Sequence, residues 1–412
     1  MRIIVQKFGG TSLAAPEGRE AAARRVLEAV RDGARPVVVV SAMGRRGDPY
    51  ATDTLLGLVR EDRGYLQARE LDLLMVCGEQ IAAVVVTSVL RRHGLDALAL
   101  TGGQAGIITD ARFGDARILR VDPQPLLELL EQGRVPVVTG FQGITEQGQV
   151  TTLGRGGSDT TAAALGAALN AEVVDIYTDV EGVYTADPRV VPEARTMVTA
   201  TYEEVAQMAV EGARVIHPRA IEIAMRASVP LRVRSTFSDA PGTLITHAWQ
   251  ADRLWLDREG RVVTGVAHTP GLALFRVATP EGAGGPVRSE LKIFRSLAEA
   301  GISVDMINVS PERKAFVVRE EVAGEARRIL TDLGFDVTVR GGCVKVTVIG
   351  TGMRGMPGVM ARVVEALDAA DVDILLSVDS HITISCLVDG EHLERAVRAL
   401  HRGFGLTRGE GE

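Results

Sequence analysis

Cysteine is scarce. The three present, Cys77, Cys343 and Cys386, lie far apart and include no CxxC pair. An odd, scattered set excludes a disulfide framework and a thiolate zinc site, and it suits a reducing compartment. Basic excess is also missing. At a net charge of −7, non-specific binding to nucleic acid or to an acidic membrane is not favoured. An anionic substrate remains allowed, because a site needs only local positive charge. Low-complexity tracts are absent. The opening MRIIVQKFGG holds only a short run of limited hydrophobicity, far from a signal peptide. No run of apolar residues approaches a membrane span. The expectation is a soluble cytoplasmic protein with no membrane or nucleic-acid partner.

What is there is the composition of an α/β protein. The chain has 412 residues, 46% hydrophobic and 24% charged, and this length implies roughly two or three domains. Its 45 glycines suggest many tight strand-to-helix turns or close backbone approaches. Arg2–Gln6 reads as a short strand, followed at once by Gly9 and Gly10. A helix is expected from about Pro16 to Asp32, with proline in its first turn and Gly33 as its stop. Pro36–Val40 is a β-branched run suited to a central parallel strand, and similar runs recur at 96–100, 135–138 and 173–177. This alternation predicts a mostly parallel sheet sandwiched by helices, with ligands at the carboxyl ends of its strands.

Near Thr236–Gly260 the pattern breaks into a polar stretch that reads as a linker. Beyond it, the segments 289–318 and 357–388 repeat one order of helix, turn, strand and hairpin partner, with Ile302 matching Val372. Two C-terminal α+β modules of βαββαβ type follow from that repeat. The expected limits are 1–237 for a catalytic domain, 238–261 for the linker, and 262–340 and 341–412 for the two modules.

Several clusters could carry chemistry. In Lys7-Phe8-Gly9-Gly10-Thr11-Ser12, a cation and backbone amides stand just past a strand, where they could neutralise phosphate oxygens. This is no Walker A loop, because the lysine precedes the glycines; taken alone, such a segment is usually only a turn. In Thr152-Leu153-Gly154-Arg155-Gly156-Gly157-Ser158-Asp159, glycines free an arginine whose fork suits a carboxylate, and Ser158 or Asp159 could cap the helix that follows. Glu79, inside a long apolar helical stretch, is either a surface residue or a buried acceptor for a substrate ammonium. Ser41 ends the PVVVV strand, a usual ligand position. Thr178-Asp179, with Tyr184 and Asp187-Pro188-Arg189, could hold adenosine and phosphate or be a loop of turn formers.

Together, KFGGTS, VVVVSAMG, GEQ, TLGRGGSDTT, YTDVEGVYTADPR and HPRAIEIA resemble, in order, the aspartokinases of the amino-acid kinase superfamily. The paired C-terminal modules resemble that family's ACT regulatory domains, so the resemblance spans nearly the whole chain. It implies the amino-acid kinase fold and ATP-dependent phosphorylation of the side-chain carboxylate of L-aspartate. Magnesium would accompany ATP, with no protein metal site of its own. The resemblance puts Lys7 and Asp159 at the phosphoryl-transfer centre. Ser41, Thr52, Glu79, Arg155 and Ser158 would hold aspartate. Lys7, Gly9, Gly10, Thr178, Asp179, Tyr184, Arg189 and Arg214 would hold the nucleotide. Many relatives carry lysine where this chain has Arg214, so a fork replaces a point charge there. The loop Gly44–Thr54 is longer than in lysine-inhibited relatives and resembles the diaminopimelate-sensitive class.

The resemblance also implies feedback by an end-product amino acid (diaminopimelate, lysine or threonine) at Ser303, Asp305 and Asn308. It implies a homodimer or higher oligomer through the ACT-like modules, and a first step towards diaminopimelate, lysine, threonine and methionine. The rival readings are an acetylglutamate or glutamate kinase, and a non-catalytic amino-acid sensor. GEQ and GRGGSD argue against the first; retention of Lys7 and Asp159 argues against the second.

Overall fold

Four of the six residues of the first strand, β1 (Ile3–Phe8), are apolar and all but Lys7 are buried, which suits a central strand covered on both faces. It lies between β2 (Arg35–Val40) and β9 (Val173–Thr178), parallel to both. The computed structural model describes residues 1–213, 215–248, 262–278, 286–310, 313–353 and 355–407. These form two compact units. The first comprises Met1–Val183, Thr196–Ala209 and the described residues of 214–258. The second comprises Tyr184–Arg195, Val210–Ala213 and the described residues from 259 onward.

In the first unit, β3 (Ala97–Leu100), β6 (Val135–Thr139), β10 (Thr199–Thr201), β11 (Leu231–Ser235) and β12 (Thr243–Thr246) extend that core into a sheet of order β10-β12-β11-β9-β1-β2-β6-β3. Only the β11–β12 pairing is antiparallel. A smaller sheet joins β4 (Ile107–Thr109), β5 (Ile118–Val121), β7 (Gln142–Ile144) and β8 (Val150–Thr152). Among the described residues of this unit, the helices are α1 (Gly10–Leu13), α2 (Pro16–Arg31), α3 (Thr52–Gly57), α4 (Ala68–Arg92), α5 (Gln124–Glu131), α6 (Gly157–Ala168), α7 (Tyr202–Val210) and α8 (Pro218–Ala227). Proline opens α2, and Gly33 stops the chain after it with a left-handed φ of 79°. Lys7 reaches Asp159 on α6, whereas its neighbour Gln6 donates to the Arg25 carbonyl on α2 at 3.3 Å. Adjacent strand residues point to opposite faces, so α6 and α2 cover opposite sides of the sheet.

One expectation needs correction. At 25 residues with a mean hydropathy of 2.0 over its apolar window, α4 is long and apolar enough to cross a membrane. Half of that window is buried. Val76 is buried along it, and Ala82, Ala83, Val86 and Leu90 join Phe8, Val38 and Val137 in one core. Its apolarity is that of a core helix, and one such helix is weak evidence for a span.

The second unit is a six-stranded antiparallel sheet. Its strands are β13 (Gly265–Ala278), β14 (Asp305–Val309), β15 (Arg313–Arg319), β16 (Asp336–Ile349), β17 (Leu376–Asp379) and β18 (Thr383–Asp389), in the order β14-β15-β13-β16-β18-β17. The long strands β13 and β16 pair along their length, with irregular register near Thr269–Leu274, and each feeds two cores. Ala273, Phe275 and Val277 pack with Ile293, Leu297 and Leu330; Val266, Val344 and Val348 pack with Val363, Leu367 and Leu400. The internal repeat survives in the hydrogen bonding. Ile302 N–H donates to the Leu297 carbonyl at 2.8 Å, and Val372 N–H to the Leu367 carbonyl at 3.0 Å; both side chains are buried.

Candidate active site

Strands β1, β2, β6, β9 and β11 end at one edge of the large sheet, and crossing backbone hydrogen bonds tie the loops that leave them. Ser41 N–H donates to the Phe8 carbonyl (3.2 Å), Gly140 N–H to Val40 (2.8 Å), and Thr236 N–H to Thr178 (3.0 Å). Behind this edge, Lys7 Nζ lies 2.7 Å from Asp159 Oδ1, with both side chains largely buried. The backbone N–H of His217 donates to Asp159 Oδ2 at 3.3 Å. A lysine held this way has a fixed ammonium beside a glycine turn. A Cβ on Gly10 would lie 2.5 Å from the Ala42 carbonyl oxygen, so only glycine lets the two loops meet. Of the two amides expected to cradle a phosphoryl group, that of Gly9 already donates to the Tyr177 carbonyl at 3.2 Å. The amide of Gly10 opens α1, where no intrahelical partner exists.

Glu79 sits in α4 and is buried. One carboxylate oxygen accepts from the Ala42 N–H at 3.1 Å; the other has no hydrogen-bond partner among the described residues. Burial pushes the group up from its ordinary 4.5 to about 8. Glu79 is therefore buried and not a surface residue. Ser41 adjoins this contact. The chain leading to Thr52, the first residue of α3, crosses α4 beside Glu79: a Cβ on Gly78 would lie 2.7 Å from the Tyr50 carbonyl oxygen. Ser158 packs on Gly140, where a Cβ would lie 2.7 Å from its own. Arg155 is exposed and makes no hydrogen bond or ion pair among the described residues.

The loop carrying Arg155 is held by residues the sequence did not single out. Asp72 accepts from Gly114 N–H (3.0 Å), Thr152 N–H (2.8 Å) and the Thr152 hydroxyl (2.7 Å), all while buried. Arg219 donates to Asp115 (2.9 Å) and to the Leu153 carbonyl (2.8 Å). Gly156 has φ 70°, and a Cβ there would lie 2.1 Å from the His217 ring. HPRAIEIA is the signal that could have found the last two. Capping differs from expectation. The N-cap of α6 is Gly156 and no side chain caps it, so Ser158 and Asp159 lie inside the first turn with Asp159 turned to Lys7.

The residues expected at the nucleotide separate. Lys7, Gly9, Gly10, Thr178 and Asp179 belong to the first unit, where Thr178 Oγ1 donates to Asp179 (3.1 Å) and Arg45 pairs with Asp179 (2.8 Å). Tyr184 and Arg189 belong to the second unit, and Arg189 forms a fork with Asp187, the shortest contact 2.7 Å. Arg214 lies outside the described residues. Of the effector candidates, Ser303 and Asn308 are exposed, while Asp305 pairs with Lys345, which also holds Glu211 at 2.8 Å.

A parallel sheet with a buried cation–carboxylate pair and a glycine turn at its carboxyl edge defines an ATP-using phosphotransferase of the amino-acid kinase class. The Amino acid kinase family matches residues 2–235, and an ACT domain matches 346–404. The chain is 48% identical to aspartokinase 1 of Bacillus subtilis (strain 168), over 99% of this chain and all of that one. The crystal structure of E. coli aspartokinase III in complex with aspartate and ADP (R-state) is 27% identical with a TM-score of 0.75, covering 98% of this chain and 99% of that one. The form in complex with lysine and aspartate (T-state) gives 27% and 0.74 with the same coverage. The chain belongs to the aspartokinase family. It is an enzyme that phosphorylates aspartate.

Proposed function

We propose that Lys7 bridges the phosphates of ATP and that Asp159 orients it, with the free Gly10 amide directed at the transferred group. The supporting observation is the 2.7 Å Lys7–Asp159 pair at the strand edge. An oxygen of the aspartate side-chain carboxylate attacks the γ-phosphorus, the bond to the β,γ-bridging oxygen breaks, and ADP leaves with that electron pair. The nucleophile is already ionised at neutral pH, since its reference pKa is about 3.9, so no proton acceptor is required. The obstacle is repulsion between two anions, and the remedy is positioning with fixed positive charge. Magnesium would supply further charge neutralisation on the phosphates. Among the described residues no three His, Cys, Asp or Glu side chains converge, and Mg²⁺ in kinases is usually carried on one or two carboxylates and the phosphates.

Arg155, uncommitted and exposed, would take the α-carboxylate of aspartate, and Glu79 its α-ammonium, with Ser41, Thr52 and Ser158 around the same substrate. Thr178, Asp179, Tyr184, Arg189 and Arg214 would serve the nucleotide. The catalytic part would be residues 1–237 and the regulatory modules 262–340 and 341–412, joined by 238–261. In the regulatory part, an amino-acid end product (diaminopimelate, lysine or threonine) would present its ammonium to Asp305, with Ser303 and Asn308 nearby, and would compete with Lys345. Pairing of such modules between chains would give a dimer or larger oligomer. The pathway would lead to diaminopimelate, lysine, threonine and methionine, in a reducing cytoplasm that suits the three free cysteines.

The test is hydroxylamine trapping of the acyl phosphate formed from L-aspartate and Mg-ATP. Wild type should yield the hydroxamate, and Lys7→Ala should lower kcat by roughly two orders of magnitude or more with the circular dichroism unchanged. Near-normal turnover by Lys7→Ala would remove Lys7 from the centre.

A further inference from the structure

On the face of the sheet opposite Lys7 lies a cavity of 980 Å³, walled by α2 on one side and floored by β1, β9, β11 and β12. That volume is at the upper end of the range for small-molecule sites. Strand alternation places Gln6, Asp175, Tyr177, Arg232 and Arg234 on this floor, in rows set by the register Gln6↔Asp175↔Arg232 and Tyr177↔Arg234. The charges are mostly committed. Arg2 forms a fork with Glu172, Arg25 holds Glu28 and Asp239, and Arg232 forms a fork with buried Asp175.

Arg31 and Asp32 are exposed to solvent, and among the lining charges that are at least partly buried Arg234 is the exception. It is partly buried, its guanidinium lies 5.8 Å from the centre of the Tyr177 ring, and it makes no hydrogen bond or ion pair among the described residues. Its Nε is enclosed without a partner, as is Oε1 of Gln6 in the floor beside it. A protein does not ordinarily hold a guanidinium half out of water with its donors unspent, because desolvating an unmatched cation costs several kcal/mol. An orphaned buried donor points to a ligand or ion. The lining also holds an apolar strip, in which Ile4, Ala29, Ala34 and Val173 form a small cluster with Leu244 on the same wall, while Arg31, Asp32 and Thr246 add polar groups.

We propose that this cavity is a second small-molecule site, separate from the phosphoryl-transfer centre, for an organic anion with an apolar body and one carboxylate or phosphate. Arg234 takes the anionic head in a two-point contact, with the ring of Tyr177 supporting its guanidinium. The apolar body lies on Ile4, Ala29 and Val173. The site stands apart from the catalytic reading, since none of its residues is assigned to aspartate or ATP.

The test is calorimetric titration of the full-length protein, at low ionic strength, with hexanoate, phenyl phosphate and inorganic phosphate. One of the two organic anions should bind saturably at a single site, and which one does so identifies the head group. Inorganic phosphate should bind at least tenfold more weakly. Arg234→Met should weaken the organic anion at least tenfold, Arg234→Lys should lose less, and the double variant Lys7→Ala/Arg155→Ala should bind as wild type does. Absence of saturable binding by either organic anion would overturn the proposal. So would equal affinity in Arg234→Met with its circular dichroism intact, or a loss confined to the Lys7→Ala/Arg155→Ala protein. Equal binding of inorganic phosphate would overturn the apolar body.

Discussion

Glu79 shows at the scale of one residue what burial does to a carboxylate. Its carboxyl is raised to about 8 by desolvation, opposed by the backbone amides of Ala42 and of Glu79 itself. A folded-state pKa above the ordinary 4.5 means that the folded protein binds the extra proton between those two values. The contribution of Glu79 to stability is therefore greatest below about pH 4.5, declines as pH rises towards 8, and levels off beyond. In the proposed role, Glu79 takes the substrate ammonium in its ionised form. The kcat/KM for aspartate should thus rise with pH up to about 8, reporting the free enzyme. Glu79→Gln should flatten that rise and the pH dependence of melting together, and should raise the aspartate KM roughly 10- to 100-fold, the worth of a charge-assisted hydrogen bond of about 1.5–3 kcal/mol. A pH profile identical to wild type would take Glu79 out of the aspartate site.

At the scale of elements, the start of α6 depends on a loop that only glycine allows. Gly156 and Gly33 share nearly the same left-handed φ, 70° and 79°, but Gly33 has open space beside it and Gly156 has the His217 ring. Alanine at Gly33 should cost only the backbone penalty, about 1 kcal/mol, with activity unchanged. Alanine at Gly156 adds a steric clash worth about 1–3 kcal/mol more. It also shifts the residue whose N–H holds Asp159, so kcat should fall at least tenfold. Equal behaviour of the two variants in melting and turnover would show that the His217 contact does not matter. Strands were legible because VVVV is apolar whichever face is buried and VVDIY departs from that only at Asp175, and the long helix because its apolar run is unbroken by glycine pairs or proline. The cap of α6 was not, since GRGGSD offers glycine, serine and aspartate as candidates and only the pull of Lys7 on Asp159 decides among them. Asp72 and Arg219 were invisible for another reason: their partners are distant in sequence and include backbone groups at Thr152 and Leu153 that every residue type offers.

At the scale of the whole molecule, the chain does not divide at a single point. The stretches Tyr184–Arg195 and Val210–Ala213 are flanked in sequence by the first unit but pack within the second. Ala186 and Val191 enter the core of Val266, Val344 and Val363, and Glu211 is buried with its carboxylate on Lys345 and on the Thr347 hydroxyl. No run of composition marks these insertions, so a boundary read along the sequence cannot express them. Glu211 stands six residues before His217, whose amide holds Asp159, so the Lys345–Glu211 tie is close along the chain to the residue that holds the Lys7–Asp159 pair. Lys345→Met would keep the aliphatic stem but leave the Glu211 carboxylate buried and unpaired, and breaking such a pair from one side costs about 3–5 kcal/mol. The expected loss is towards the lower end, because the other partner, Asp305, is half exposed and can be solvated. Adding Glu211→Gln removes the stranded charge while keeping an acceptor for Thr347, so the double variant should recover at least half of the lost stability in denaturant titrations. A double variant no more stable than Lys345→Met alone would mean that the cost lies in packing of the lysine stem rather than in the unpaired carboxylate, and that this stretch is held to the second unit by shape instead of charge.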